Sequence, residues 1–354
     1  SLSGQDISNK KEIYNIIDNK IFNQVRKIKE QSEDYFQELN IFFVNIVEKM
    51  LRLTENIINT SSWKKIREKG SLIAGFLNNL GKFLHQLFKK LNLISSETLT
   101  DIEERLIELE SAINNCQQFV DSLNFNLDCD DDNFVFWLEK ENNNQSGKVS
   151  QKNAPLNISE ILPDILWDSM DNVVLTSATL TVNNSFQFFK RSLGLNKSQE
   201  LRVKSPFDYS QQAKLLIPEN IPPANSGNYL SEIIDHFREM LISFKGSTMV
   251  LFTSYSMLNY CINKTKDKLN NAGIKVLPQG KYPRHYIINQ FKSNKKQIIF
   301  GTVSFWEGVD IKGKDLKYLI IMKLPFPVPS RPVASARKEQ LKKEGKNPFY
   351  NYSL

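Results

Sequence analysis

The sequence predicts an α/β protein: a parallel sheet with interleaved helices, behind a helical domain that fills the first third of its 354 residues. Two observations predict it, and a third, the charge, bears on partners rather than on fold. No proline occurs before Pro155, and glycines are few over the same stretch. From Asn172 onward, short apolar runs alternate with amphipathic stretches of helical length, the pattern of right-handed β-α-β crossovers. The charge also changes sign along the chain. From position 201 there are 24 Lys/Arg against 11 Asp/Glu, a net of +13, whereas the first 200 residues carry −6.

Residues Asn9 to Leu123 read as nearly continuous helix, with breaks at Ser61-Ser62 and Gly70-Ser71. Ile13, Ile17, Ile21, Val25 and Ile28 mark one helix, and Ile41 to Leu53 another. In TDIEERLIELESAINNCQQFVDSL, Thr100 and Glu103 form a capping box. Ile102, Leu106, Leu109, Ile113, Cys116, Val120 and Leu123 then follow steps of four and three, a heptad seam. A bundle or long hairpin results, which by itself would equally suit a partner-binding coiled coil. The acidic run LDCDDDN breaks the pattern. It lacks the glycine and distal glutamate of a calcium loop and reads as a solvated turn. FVFWLE (Phe134–Glu139) reads as a strand, and ENNNQSGKVSQKN as an exposed loop.

The α/β part reads as follows. NVVLTSATL (Asn172–Leu180) is a short buried strand, followed by a helix through FQFFKRSLGL, then by KLLIPENIPPANSGN as strand and linker. Next come a helix over Tyr229–Phe244, a strand over Ser247–Tyr255, a helix over Met257–Ala272 and the strand IKVLPQ. The helix Tyr286–Lys292, the strand QIIFGT and the strand Leu316–Phe326 complete it.

Three cysteines (Cys116, Cys129, Cys261) and three scattered histidines form neither a disulfide framework nor a structural metal site. No apolar run approaches the ~20 residues of a membrane helix, and the polar N-terminus has no signal-peptide core. A reduced, cytoplasmic protein without a membrane contact is expected. The basic half is where any nucleic acid would bind; the alternative is an ordinary lysine-rich surface.

In a parallel α/β sheet ligands collect beyond the carboxyl ends of the strands. Three polar strand ends meet that rule: TSAT (Thr176–Thr179), FTSYS (Phe252–Ser256) and GTVSFWEGVD (Gly301–Asp310). Small hydroxyls and glycines let backbone approach a phosphate. Glu307 and Asp310 repel phosphate and suit ribose hydroxyls, an arginine or a metal-bound water. Trp306 would stack on a base or pack behind its loop; packing is favoured, because large aromatics usually serve as core.

These segments, in this order, resemble the DinG group of ATP-dependent DNA helicases, related to the XPD helicases of superfamily two. The similar string runs from Asn153 onward and includes MVLFTSYSML and IIFGTVSFWEGVDIKGKDLKYLIIMKLPFPVPSRPV. SFWEGVD carries the most specificity; SATL alone carries little. The resemblance implies a RecA-like sheet domain. It places an arch-like helical insertion at 1–127, the tail of a first motor domain at 128–200 and a second motor domain at 201–354. It implies that Ser177, Ala178 and Thr179 couple ATP hydrolysis to strand movement. Phe252, Thr253 and Ser254 would touch the backbone of single-stranded DNA, and Gly301 and Thr302 a DNA phosphate. Gly308 and Asp310 would face the nucleotide across the interdomain cleft, with Glu307 nearby. The implied cofactors are ATP and Mg²⁺, and the implied partners single-stranded and forked duplex DNA, bound by a monomer.

The chain departs from the family in several ways. No G-x-x-x-x-G-K-[ST] occurs: each Gly-Lys pair is followed by Phe, Val, Tyr, Asp or Asn. No DEAH-like acidic box appears, and no glutamine- and arginine-rich motif VI. The family's iron–sulfur cysteines belong upstream of the matched string, which leaves the cluster open. An internal slice of a longer helicase is expected, inactive alone as an ATPase. The alternatives are a non-catalytic single-stranded DNA-binding or scaffold protein with a helicase-like fold, and an interaction protein built on the helical third.

Overall fold

The computed structural model describes residues 10–44, 46, 48–94, 100–140, 148–326 and 331–349. They divide into two compact units, Ser1–Leu201 with Pro327–Leu354, and Arg202–Phe326. Among the described residues no helix is long and apolar enough to cross a membrane.

The first unit is built on three long helices: α1 (Phe22–Val44), α2 (Ser61–Ile94) and α3 (Thr100–Asp128). Its core gathers Tyr35, Leu39 and Phe43 of α1 with Trp63, Ile66 and Ile73 of α2 and Leu127 of α3. The seam expected on α3 faces inward: Leu106, Cys116 and Val120 are buried, and Leu109, Ile113 and Leu123 half-buried. The side chains of Thr100 and Ile102 lie outside the described residues. The break expected at Gly70-Ser71 does not occur, because both lie inside α2. A glycine costs a helix interior only ~1 kcal/mol, less than packing between neighbouring helices returns.

Beside the helices lies a three-stranded antiparallel sheet in the order β1 (Met50–Arg52), β2 (Phe134–Lys140), β3 (Val149–Pro155). Only β2 was expected. Met50–Arg52 falls where the apolar spacing read as helix, but it pairs with Trp137–Glu139, and that ladder overrides local propensity. Val149–Pro155 falls in the expected polar loop, and it pairs along its whole length with β2. Its inward polar groups are hydrogen-bonded rather than solvated. The Tyr35 hydroxyl donates to Gln151 Oε1 at 2.7 Å, and Asn153 Nδ2 donates to Asn126 Oδ1 at 3.0 Å. The rest of that loop, residues 141–147, lies outside the described residues. Helix α8 (Pro332–Lys343) packs on this sheet through an Arg52–Glu339 ion pair of 2.7 Å, and Arg337 Nε donates to the Leu156 carbonyl at 2.9 Å.

Two expected strands are absent. Asn172–Leu180 and Lys214–Pro218 run irregularly and exposed, with Val174 89% and Leu215 85% accessible. An apolar run becomes a strand only beside a ladder partner, and no described strand pairs with either. Between them α4 (Gln187–Leu193) forms as expected.

The second unit is the α/β domain. Four parallel strands, β4 (Thr248–Leu251), β5 (Lys275–Pro278), β6 (Gln297–Gly301) and β7 (Tyr318–Ile321), lie in the order β5-β6-β4-β7. α5 (Tyr229–Phe244) leads into β4, α6 (Tyr255–Asn271) joins β4 to β5, α7 (Arg284–Ser293) joins β5 to β6, and a segment with only the short turn Val303–Phe305 joins β6 to β7. Every residue of β4 and β6 is buried, as a sheet covered on both faces requires. Side-chain alternation sorts them. Val250, Phe252, Ile298 and Phe300 pack with Tyr229, Ile233, Phe237 and Leu241 of α5 and Leu258, Cys261 and Leu269 of α6. Met249, Leu251 and Ile299 pack with Ile287 and Phe291 of α7 and with Phe305. Burial pushes the Cys261 thiol up to about 12, so it serves as a small core residue.

Candidate functional site

Because β4, β5 and β6 are parallel neighbours, the segments leaving their carboxyl ends gather on one edge of the sheet. Those segments are 252–256, 279–284 and 302–310.

Phe252 differs from expectation. Its ring is fully buried, 5.1 Å from the ring of Phe300, its N–H donates to the Gly301 carbonyl at 2.8 Å, and its carbonyl accepts from Trp306 Nε1 at 3.3 Å. It therefore has no group left for DNA and acts as the core anchor of the segment. Thr253 is half-buried and Ser254 exposed. Ser254 caps α6, accepting from the Met257 N–H at 3.3 Å, and its hydroxyl lies 3.0 Å from that of Ser256.

Gly301 ends β6, and Phe305 folds back over it. A Cβ at position 301 would lie 2.6 Å from Phe305 Cβ. The turn Val303–Phe305 is closed by Phe305 N–H donating to the Thr302 carbonyl at 2.8 Å. Thr302 is 3% exposed, and both its donors enter the Gln279 side chain: N–H to Oε1 at 2.6 Å and hydroxyl to the same oxygen at 3.0 Å. Trp306 is half-buried against the α7-side core, so it packs behind the loop.

Glu307, Gly308 and Asp310 are exposed. Gly308 adopts φ +67°, a conformation that side chains disfavour, and this turns the loop outward. Arg284 holds the turn by donating to the Glu307 carbonyl at 3.0 Å and to the Gly308 carbonyl at 2.5 Å, with its guanidinium 5.9 Å above the Phe305 ring. The carboxylates of Glu307 and Asp310 form no ion pair among the described residues. Ser177, Ala178 and Thr179 belong to the first unit, in an exposed turn where the Thr179 N–H donates to Ser177 Oγ at 3.3 Å.

The structure adds residues that the motif reading missed. QGKYPR (Gln279–Arg284) supplies Gln279, Lys281 and Arg284 to the same edge, and Tyr255 adds a half-exposed phenol. The available signal was position, since the segment follows the strand IKVLPQ directly. Among the described residues no group of three or more His, Cys, Asp or Glu side chains is placed to hold a metal.

A parallel sheet with polar loops gathered at one end defines an α/β domain whose strand-end edge is the candidate ligand face. Residues 237–354 match the family model described as helicase C-terminal domain. The chain is similar to a 3'-5' exonuclease DinG of Bacillus subtilis, 29% identical over 304 residues, which cover 83% of this chain and 32% of the relative. It is also similar to an ATP-dependent DNA helicase DinG of Photobacterium profundum, 34% identical over 62% of this chain and 32% of the relative. An ATP-dependent DNA helicase YoaA of Escherichia coli is 32% identical over 57% of this chain and 31% of the relative. Residues 237–354 therefore resemble a helicase C-terminal domain, and a larger part of the chain is similar to proteins named DinG and YoaA. It spans about a third of the length of the curated relatives it matches.

Proposed function

We propose that this chain is the part of an ATP-dependent DNA helicase that grips single-stranded DNA while ATP hydrolysis drives translocation and duplex unwinding, 5′ to 3′, in repair or replication. The observation that supports it best is the strand-end edge, where three adjacent loops present the Ser254 and Tyr255 hydroxyls and Lys281, with the SFWEGVD turn held outward by Arg284. In this reading Thr253 and Ser254 line the path of the strand, and the buried Gly301 and Thr302 form the floor beneath it. Ser177, Ala178 and Thr179 couple its movement to ATP, and Glu307, Gly308 and Asp310 face the nucleotide. The division into 1–127, 128–200 and 201–354 belongs to the same proposal.

ATP and Mg²⁺ fit this chain only in part. It has no phosphate-cradling P-loop and no DEAH-like box. Gly308 and Asp310 could meet the nucleotide, and no step of hydrolysis is assigned to these residues.

The purified chain is expected to bind labelled single-stranded DNA weakly, with affinity falling as salt rises, because Lys and Arg displace counterions from phosphates. Fluorescence anisotropy across a KCl series checks it; a flat signal at low salt and high protein concentration removes the proposal. DNA-stimulated ATP turnover by the chain alone is expected to be absent. A helicase-like rate would show that the missing motifs were misread.

A further inference from the structure

Three strand ends share one hydrogen-bond chain. The Thr302 N–H can only donate, so its 2.6 Å contact fixes the Gln279 amide with Oε1 toward β6. The Thr302 hydroxyl spends its one proton on that same oxygen. The amide nitrogen is thereby turned the other way, and it donates to the Tyr255 hydroxyl oxygen at 2.8 Å. A phenol has a single proton. With its oxygen accepting from Gln279, that proton is directed away from Gln279, on a side chain 50% exposed. Of the two hydroxyls, the buried Thr302 has no free donor and the exposed Tyr255 has one.

We propose that Tyr255 donates its hydroxyl proton to a phosphate oxygen of single-stranded DNA, and that Gln279 is the positioning residue that aims it. Thr302 then anchors Gln279 from within the fold. The inference rests on the reading of the previous subsection and assigns the phosphate contact within it. An anionic acceptor is favoured because Lys281 and Arg284 follow Gln279 in the same segment and neither 252–256 nor 279–284 contains a carboxylate; the carboxylates of this edge, Glu307 and Asp310, stand in the third loop.

The test is anisotropy with labelled single-stranded DNA on four proteins: the wild-type chain, Tyr255→Phe, Gln279→Glu and the double variant. Tyr255→Phe is expected to weaken binding ~10-fold, as loss of a hydrogen bond to a charged group does. The slope of log affinity against log salt should stay unchanged, because a neutral donor releases no counterion. Its melting midpoint should equal that of the wild type. Gln279→Glu still accepts from Thr302, but its carboxylate would draw the phenol proton inward. In that background Tyr255→Phe should therefore cost nothing further, whatever the added charge does by itself.

Wild-type binding that Tyr255→Phe leaves unaltered overturns this inference alone. So does an equal cost of Tyr255→Phe in both backgrounds, or a loss seen with ATP as the ligand and not with single-stranded DNA. A wild-type chain with no affinity for single-stranded DNA at low salt overturns the helicase reading, and this inference falls with it.

Discussion

Gly301→Ala is expected to destabilise the α/β unit by about 1–3 kcal/mol and to weaken single-stranded DNA binding in the same protein. The new Cβ would lie 2.6 Å from Phe305 Cβ and 2.7 Å from its Cγ. These atoms are the root of a side chain that is 2% exposed, so no distal rotation relieves the clash. The turn over 303–305 has to lift from the end of β6. Lifting it strains the Thr302–Gln279 contacts and the Arg284 grip on the Glu307 and Gly308 carbonyls. Stability and site geometry therefore fail together. Phe305→Ala should not rescue Gly301→Ala, since the nearest atom is a Cβ that alanine also has. Urea denaturation and anisotropy on both variants check this. A wild-type midpoint and affinity for Gly301→Ala would show that Phe305 does not crowd the strand end.

Much of this site was legible because its chemistry is local. Glycine at a strand end, small hydroxyls after buried apolar runs and a loop with two carboxylates all fall in contiguous sequence. The order of strands and helices in 229–321 was legible for the same reason, since each helix shows its apolar face at helical spacing and β4 and β6 are apolar runs of strand length. What could not be read depended on partners distant in sequence. Val149–Pro155 looks like a loop because its inward residues, Gln151 and Asn153, are polar; Tyr35 and Asn126 make them suitable for burial. Met50–Arg52 is a strand only because Trp137–Glu139 lies beside it. Conversely, NVVL and KLLIP carry a strand's composition, but among the described residues they have no ladder to join. Gln279 and Arg284 were missed because both act on backbone about 23 residues away (Thr302 N–H and Glu307 carbonyl), a pairing that no spacing rule encodes.

Phe252→Ala is expected to have a larger effect on stability than Gly301→Ala, about 3–5 kcal/mol, the range for removing a buried aromatic ring. Against a total of ~5–15 kcal/mol for a domain, that leaves the α/β unit marginal. Phe252→Leu separates the two roles open to this residue. Leucine keeps an apolar side chain against Phe300 and leaves intact the backbone bonds to Gly301 and Trp306. Its cost should be about 1–2 kcal/mol, with the protein still folded at 25 °C. If Phe252 is a core residue, the folded Phe252→Leu chain binds single-stranded DNA as the wild type does. If the ring instead stacked on a base, the variant would lose ~1–3 kcal/mol of binding while folded, and affinity would fall before stability did. The geometry decides between these outcomes in advance. A ring with no accessible surface, seated between α5 and α6 on the sheet face opposite α7, cannot reach a ligand without unfolding the strand end that would hold it.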